Sequence, residues 1–444
     1  MPILSLRTRI SHTLSANAAL RLAPRVPLSR PRLAFPGAIG VASTTFAAPR
    51  AFASARPLLG PIHEKKVEQL AQKIPDNFLI NLGQIMADLR DLELLDLLNG
   101  TSPKSGSGYK DATRALYPLF YRYEENSVVC SFSDLQEALP PLYGLAWTAI
   151  SERLLAGKIS KLEALDPKRK AALQFLQIYN IGPARAFDFA AEGCRSFGDL
   201  LKRPEDRKPK LSRAHRIGLE HREDIQRLIP RAEMDALKVE LQETVRSVDP
   251  AFECEVLGSY RRGVPFSSDI DLAVRHPSFN GGADEEAKGK AMLESIIGQL
   301  EAKGLVKKEN ELMRGNKKYA GLIRLPRHNH YRRIDLRLAP SASYPYMLLG
   351  SSGDSLLMKL LRWRAKQKGW CLNEYGMGDK YDATDKNPNG FRPGTLKVVD
   401  SEREIFDLLG MPYLVPAERE YRVWGPKYLR ELTDPKARDF VAKL

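Results

Sequence analysis

The stretch Gly258-Ser259-Tyr260-Arg261-Arg262-Gly263-Val264-Pro265-Phe266-Ser267-Ser268-Asp269-Ile270-Asp271-Leu272-Ala273-Val274 joins a glycine turn, two arginines and two alternating aspartates. In a β-strand, side chains i and i+2 share a face. Asp269 and Asp271 therefore project together, and Ile270, Leu272 and Val274 pack behind them. Two neighbouring carboxylates repel unless a cation lies between them. Oxygen donors suit Mg²⁺, which keeps waters and completes its shell from a bound phosphate. Gly258 lets backbone approach a phosphate, the Ser259 hydroxyl can donate to one, and Arg262 can neutralise a departing pyrophosphate.

A third acid lies in Arg332-Arg333-Ile334-Asp335-Leu336-Arg337, where alternation puts Arg333, Asp335 and Arg337 on one face. Alone, it reads more readily as a structural ion pair than as a catalytic group. Beside Asp269 and Asp271 it acquires a purpose, because two-metal phosphoryl transfer needs a carboxylate near the attacking oxygen. A Gly-Ser turn, then Asp-x-Asp, then an Asp on another strand is the nucleotidyltransferase signature.

The rest of the 444-residue chain limits the alternatives. Its 43% hydrophobic and 28% charged residues are ordinary for a globular protein. No apolar run is long enough to span a membrane. Cys130, Cys194, Cys254 and Cys371 form no CxxC pair, and the seven histidines form no HExxH, which leaves carboxylates as the metal donors. The net charge is +15, and residues 1–63 hold eight arginines and no acid. Residues 1–60, rich in Arg, Ser, Ala and Pro, read as a mitochondrial transit peptide, with cleavage expected after Phe52 and a matrix location.

Val67, Leu70, Ile74 and Phe78, and then Leu82, Ile85, Met86, Leu89, Leu92 and Leu95, recur at helical spacing. Gly100 to Gly108 reads as a flexible loop. More helices are expected to about residue 229, then strands at Ile270–Val274 and Leu322–Leu325 with a helix over Met292–Ala302 between them. A mixed region follows Pro340 to about Arg419, and a charged tail follows it. The expected class is α+β. Residues 61–165 and 166–230 are expected to be helical, 231–340 to carry a mixed sheet with helices, and 341–444 to be α/β with the tail.

From about Leu139 to Arg419 the chain resembles the family X DNA polymerases of the beta type. The resemblance rests on Leu211–Leu219, Ile229–Met234, Gly258–Val274, Arg332–Arg337, Asn373-Glu374-Tyr375 and Val399–Phe406. It implies a lyase-like helical domain over 61–165, a helix-hairpin-helix DNA-binding subdomain over 166–230, a nucleotidyltransferase-type palm over 231–340 and a nucleotide-selection subdomain with the tail over 341–444. It implies Asp269, Asp271 and Asp335 in the palm as ligands of two Mg²⁺ ions, with Mn²⁺ as a substitute, and Asp335 as the group that activates the primer 3′-hydroxyl. It implies nucleotide contacts from Gly258, Ser259, Arg262, Ser267, Ser352 and Gly353. Arg333 would contact the primer backbone or orient Asp335, Arg337 would pair with a metal-binding Asp in the inactive state, and Arg362 would reach the template strand. Ile178–Ala186 looks like a helix-hairpin-helix, in which Ile181, Gly182 and Ala184 cradle a DNA phosphate. The implied partners are gapped or primer-template DNA and deoxynucleoside triphosphates, with the protein a monomer. The implied activity is short-gap filling in mitochondrial base excision repair. End joining and template-independent terminal transfer are the alternatives.

Two departures stand out. The position of the family's Schiff-base lysine reads as Ala149 or, with one gap, Arg153, and neither supplies a neutral amine. Lys158 and Lys161 lie nearby. Gly350-Ser351 replaces an aromatic pair before Ser352-Gly353, which predicts weaker exclusion of a 2′-hydroxyl. Met358 replaces a common Asn that bonds the incoming base.

Overall fold

The computed structural model describes residues 62–75, 78–100, 103–122, 129–139, 144–281, 285–326, 328–380 and 390–428. Residues 1–60 with the expected cleavage after Phe52, residues 140–143 and residues 429–444 lie outside them. No helix among the described residues is long and apolar enough to cross a membrane.

The chain begins with helices α1 (Ile62–Ala71), α2 (Leu82–Leu98), α3 (Pro103–Arg122), α4 (Phe132–Ala138) and α5 (Gly144–Ala156). Leu82, Ile85, Leu89 and Leu92 of α2 meet Leu116 and Leu119 of α3 and Trp147 and Ile150 of α5 in one core. Two expectations fail here. The Gly100–Gly108 loop gives way at Pro103, which opens α3. Proline suits a first helical turn, and Tyr109, Ala112, Leu116 and Leu119 form a buried face that outweighs the local Gly and Ser. The helical spacing through Phe78 is interrupted as well: α1 ends at Ala71 and Phe78 is exposed.

Next come α6 (Pro167–Phe175), α7 (Pro183–Ala191) and α8 (Arg213–Glu220). Pro167 and Pro183 each begin a helix, and the Asp166 side chain caps α6 by accepting from the Arg169 N–H. Phe175 and Phe189 hold α6 against α7 edge to face, with ring centroids 6.4 Å apart.

The central layer comprises α9 (Arg231–Val248), β1 (Glu253–Val256), α10 (Gly258–Arg261), β2 (Ile270–Arg275), α11 (Glu286–Ala302), β3 (Val306–Arg314), β4 (Lys318–Ile323) and β5 (Arg332–Ala339). The strands form a five-stranded sheet in the order β1-β2-β5-β4-β3. Only the β2–β5 pair is parallel. Ile270, Leu272 and Val274 of β2 and Ile334, Leu336 and Leu338 of β5 bury one face under α9 and α11. At about 1.5–3 kcal/mol for each such side chain, this burial fixes the register, since a one-residue slip would send all six to the opposite face.

The C-terminal layer contains α12 (Tyr344–Ser352), α13 (Ser355–Gln367), the hairpin β6 (Trp370–Asn373) and β7 (Gly376–Asp379), α14 (Glu402–Leu408) and α15 (Tyr421–Trp424). Its core joins Leu357, Leu361, Phe406 and Trp424. The charged tail expected after Arg419 is corrected in part: Trp424 is fully buried. The architecture is a mixed α+β one.

Candidate active site

Apolar packing turns the second face of β2 and β5 toward the site. Asp271 and Asp335 are direct partners in the parallel register, and Asp269 stands immediately before β2. The alternation of β5 buries Arg332, Ile334 and Leu336 and leaves Arg333, Asp335 and Arg337 half-buried on the opposite side. Arg332 is spent on structure, since its Nε and Nη2 each bond Glu233 at 2.8 Å.

Arg333 joins two of the acids. Its Nη1 donates to Asp335 Oδ2 at 2.8 Å, and its Nη2 pairs with Asp269. Its guanidinium also lies over the Tyr179 ring, 5.4 Å from the centroid, which ties the acids to the connection between α6 and α7. Asp271 sits deeper. Burial, and then the charge of Asp335, push its carboxyl up to about 6, against the pull of Arg337 and Arg262. Among the described residues no three acidic, histidine or cysteine side chains converge as on a metal ion, because Arg333 stands between Asp269 and Asp335. The donors nonetheless fit a hard divalent cation: all are carboxylates, and the crowding that raises Asp271 is relieved by positive charge.

The glycine turn roofs this pair. Gly258 has φ +61°, and a Cβ there would lie 2.7 Å from Asp271 Oδ2. Only glycine fits both the angle and the close approach. The Leu257 N–H donates to the Asp271 carbonyl at 2.8 Å and closes the turn onto β2. Ser259 donates to Ser267 at 2.9 Å, and Ser267 is buried. The adjacent arginines diverge. Arg262 pairs with Glu420, whereas Arg261 donates to both oxygens of Glu402, at 2.9 and 2.7 Å, and to Ser352 Oγ at 3.0 Å.

The other expected residues are placed as follows. Ser352 is fully buried and accepts from Arg261. Gly353 caps α12 above Met358, which is buried in the C-terminal core. Arg337 lies 4.0 Å from Glu374, and its charge also acts on Asp271. Ser351, of the Gly350-Ser351 pair singled out in the sequence, lines a crevice with Asp271, Asp335 and Arg337. Ile181 is buried, whereas Gly182 and Ala184 are exposed at the start of α7, which has no side-chain cap. Arg362 is half-buried on α13. Ala149 is buried in the N-terminal core, and Arg153 bonds Asp88 at 2.8 Å, so neither is an amine in a cleft. Lys161 pairs with Asp96 at 3.0 Å, and Lys158 is exposed.

Sequence reasoning missed Glu402, Arg419 and Glu420. Arg419 is fully buried and donates to Glu402 at 2.6 Å. Burial works against the charge of Glu402, but Arg261 and Arg419 hold its carboxyl below the ordinary range. No local spacing could reveal a cluster whose members lie 141 residues apart, as Arg261 and Glu402 do.

Comparison with known proteins matches residues 173–226 to the fingers domain of DNA polymerase lambda, 228–341 to the DNA polymerase beta palm and 347–420 to the DNA polymerase beta thumb. The chain belongs to the family X DNA polymerases. It is 30% identical over 280 residues to DNA polymerase lambda of Arabidopsis thaliana, covering 61% of this chain and 50% of that protein. It is 28% identical over 318 residues to DNA polymerase lambda of Rattus norvegicus, covering 71% and 52%. It is 26% identical over 325 residues to the DNA-directed DNA/RNA polymerase mu of Homo sapiens, covering 66% and 61%. The matched part of this family X chain thus spans half to about three-fifths of these relatives. The acids and the glycine turn fall in its palm, and Glu402 and Arg419 in its thumb.

Proposed function

We propose that this chain is a template-directed DNA polymerase that adds deoxynucleotides to a primer 3′ end, filling short gaps during base excision repair in the mitochondrial matrix. The observation that carries the reading is the register of Asp271 against Asp335 on adjacent parallel strands, beneath the Gly258 turn. Asp269, Asp271 and Asp335 would hold two Mg²⁺ ions. When bound, these supply positive charge to the triphosphate and to the attacking oxygen.

The chain's own groups do the rest. Asp335, oriented by Arg333, accepts the proton of the primer 3′-hydroxyl. Its attack on the α-phosphorus forms the new phosphodiester bond and expels pyrophosphate. The Ser259 hydroxyl turns from Ser267 to the triphosphate, and Arg262 neutralises the leaving group. The exposed Gly182–Ala184 helix start cradles a DNA phosphate without reading sequence. Arg362 tracks the template strand. The relative named a DNA/RNA polymerase and the small Gly350-Ser351 pair together support acceptance of ribonucleotides. The buried Ala149 and the ion-paired Arg153 support the absence of a Schiff-base lyase.

Primer extension on one-nucleotide-gapped DNA with Mg²⁺, supplying each deoxynucleotide alone, tests the reading. Template-directed addition by the wild type that vanishes in Asp335→Ala is expected. Addition regardless of template would favour terminal transfer, and DNA binding without addition would favour a silent scaffold. A reporter fused behind residues 1–60 should enter mitochondria, and its retention in the cytosol would refute the matrix location.

A further inference from the structure

Arg262 is gripped by a residue that plays no part in the chemistry proposed above. Its Nε donates to Glu420 Oε1, and among the described residues neither of its terminal nitrogens enters a hydrogen bond. Glu420 is itself fixed from behind. Its carbonyl accepts the Val423 N–H at 2.8 Å, which starts the short helix α15. Trp424 of that helix is fully buried and donates its indole N–H to Asp354 Oδ2 at 2.9 Å. Asp354 Oδ1 in turn caps α13 at the Leu357 N–H, at 2.7 Å. The thumb match ends at residue 420, so α15 and its tryptophan lie past it.

A guanidinium carries five N–H groups in a rigid plane. Engaging Nε leaves the four on Nη1 and Nη2, the edge that meets phosphate oxygens two at a time. A carboxylate placed at Nε therefore fixes the plane without consuming that edge. The side chains of Arg262 and Glu420 are 14% and 27% exposed, so the pair is shielded from water while remaining reachable. We infer that Glu420 is a positioning residue for nucleotide binding: it holds the Arg262 guanidinium by Nε and presents both terminal nitrogens to the triphosphate. The inference rests on the reading that Arg262 meets the triphosphate. It adds that a segment anchored by Trp424 in the thumb sets the geometry of an arginine in the palm.

The full-length protein, on one-nucleotide-gapped DNA with a dideoxy-terminated primer, is titrated with the complementary deoxynucleoside triphosphate and Mg²⁺. Glu420→Ala should weaken the nucleotide Kd roughly three- to tenfold, the range expected when one ordered side chain is set free, and leave the Kd for gapped DNA unchanged. Glu420→Gln, which keeps an acceptor oxygen in place, should recover most of the loss. In an Arg262→Ala background, Glu420→Ala should add nothing. Unchanged or tighter nucleotide binding in both Glu420 variants would overturn the inference and make the carboxylate idle or a competitor of the triphosphate. So would a loss that persists beside Arg262→Ala. Nucleotide affinity undiminished in Arg262→Ala alone would show that the triphosphate reading itself had failed. Unchanged melting midpoints establish that each variant is folded.

Discussion

Asp271 is half-buried under Gly258 and beside Asp335, and burial and the Asp335 charge both oppose its ionisation. Its carboxyl titrates at about 6 against an ordinary value of 3.8. In the interval between those values the folded protein holds a proton that the unfolded chain has lost. Stability therefore falls as pH rises through the interval, and the penalty is fully present above about pH 6. Asp271→Asn removes a charge without changing the shape. In metal-free buffer it should stabilise the protein by about 3 kcal/mol at pH 7.5, a gain that disappears below about pH 4, while abolishing nucleotide addition. Denaturant melts at both pH values check this. An equal effect of the substitution at both would show that burial and Asp335 do not raise the carboxyl. Such a site gives up stability for charge density, and the acids and the arginine between them are where that exchange is made.

Among the elements, α12 is the one that the proposed function sets against the sugar of an incoming nucleotide. A Cβ at Gly350 would contact Glu374 at 3.5 Å, an ordinary distance, and Ser351 lines the crevice with Asp271, Asp335 and Arg337. A side chain can therefore begin at Gly350 without a clash at its Cβ. Gly350→Tyr should raise discrimination against ribonucleotides at least tenfold, with deoxynucleotide kcat/KM changed by no more than about threefold. Paired single-nucleotide incorporation assays measure the ratio. A wild type that excludes ribonucleotides as strictly as the Tyr variant would sink the idea. Elements of this kind were legible in the sequence to different degrees. The alternation at Ile270-Asp271-Leu272 and Ile334-Asp335-Leu336 announced both strands and their faces, because period-2 burial is a local property. The helix at Pro103 was hidden, because glycine and serine dominate Pro103–Gly108 while the apolar face that holds the helix comes later, from Tyr109 to Leu119. The surroundings of Ser352 were hidden for a longer-range reason: its partner, Arg261, lies 91 residues away.

At the scale of the whole molecule, Glu402 is the carboxylate on which palm and thumb meet. It binds Arg261 from the glycine turn and Arg419 from the C-terminal layer, and its side chain is only 5% exposed. Arg419 is fully buried, and its Nη2 has no hydrogen-bond partner among the described residues. Removing one member of a buried ion cluster leaves the others uncompensated, at about 3–5 kcal/mol. Glu402→Gln keeps the volume and deletes the charge that both arginines share. It should lower the unfolding midpoint and also divide the transition, because the contact it weakens spans two cores. The tryptophans make this measurable: Trp363, Trp370 and Trp424 belong to the thumb core and Trp147 to the N-terminal helices. Wild-type urea melts followed by tryptophan fluorescence and by far-ultraviolet circular dichroism should coincide. In Glu402→Gln the fluorescence transition should come first, as the thumb loosens while the palm sheet persists. Coincident curves at the wild-type midpoint would mean that the apolar contacts of α12 with β2 couple the layers without the ion cluster.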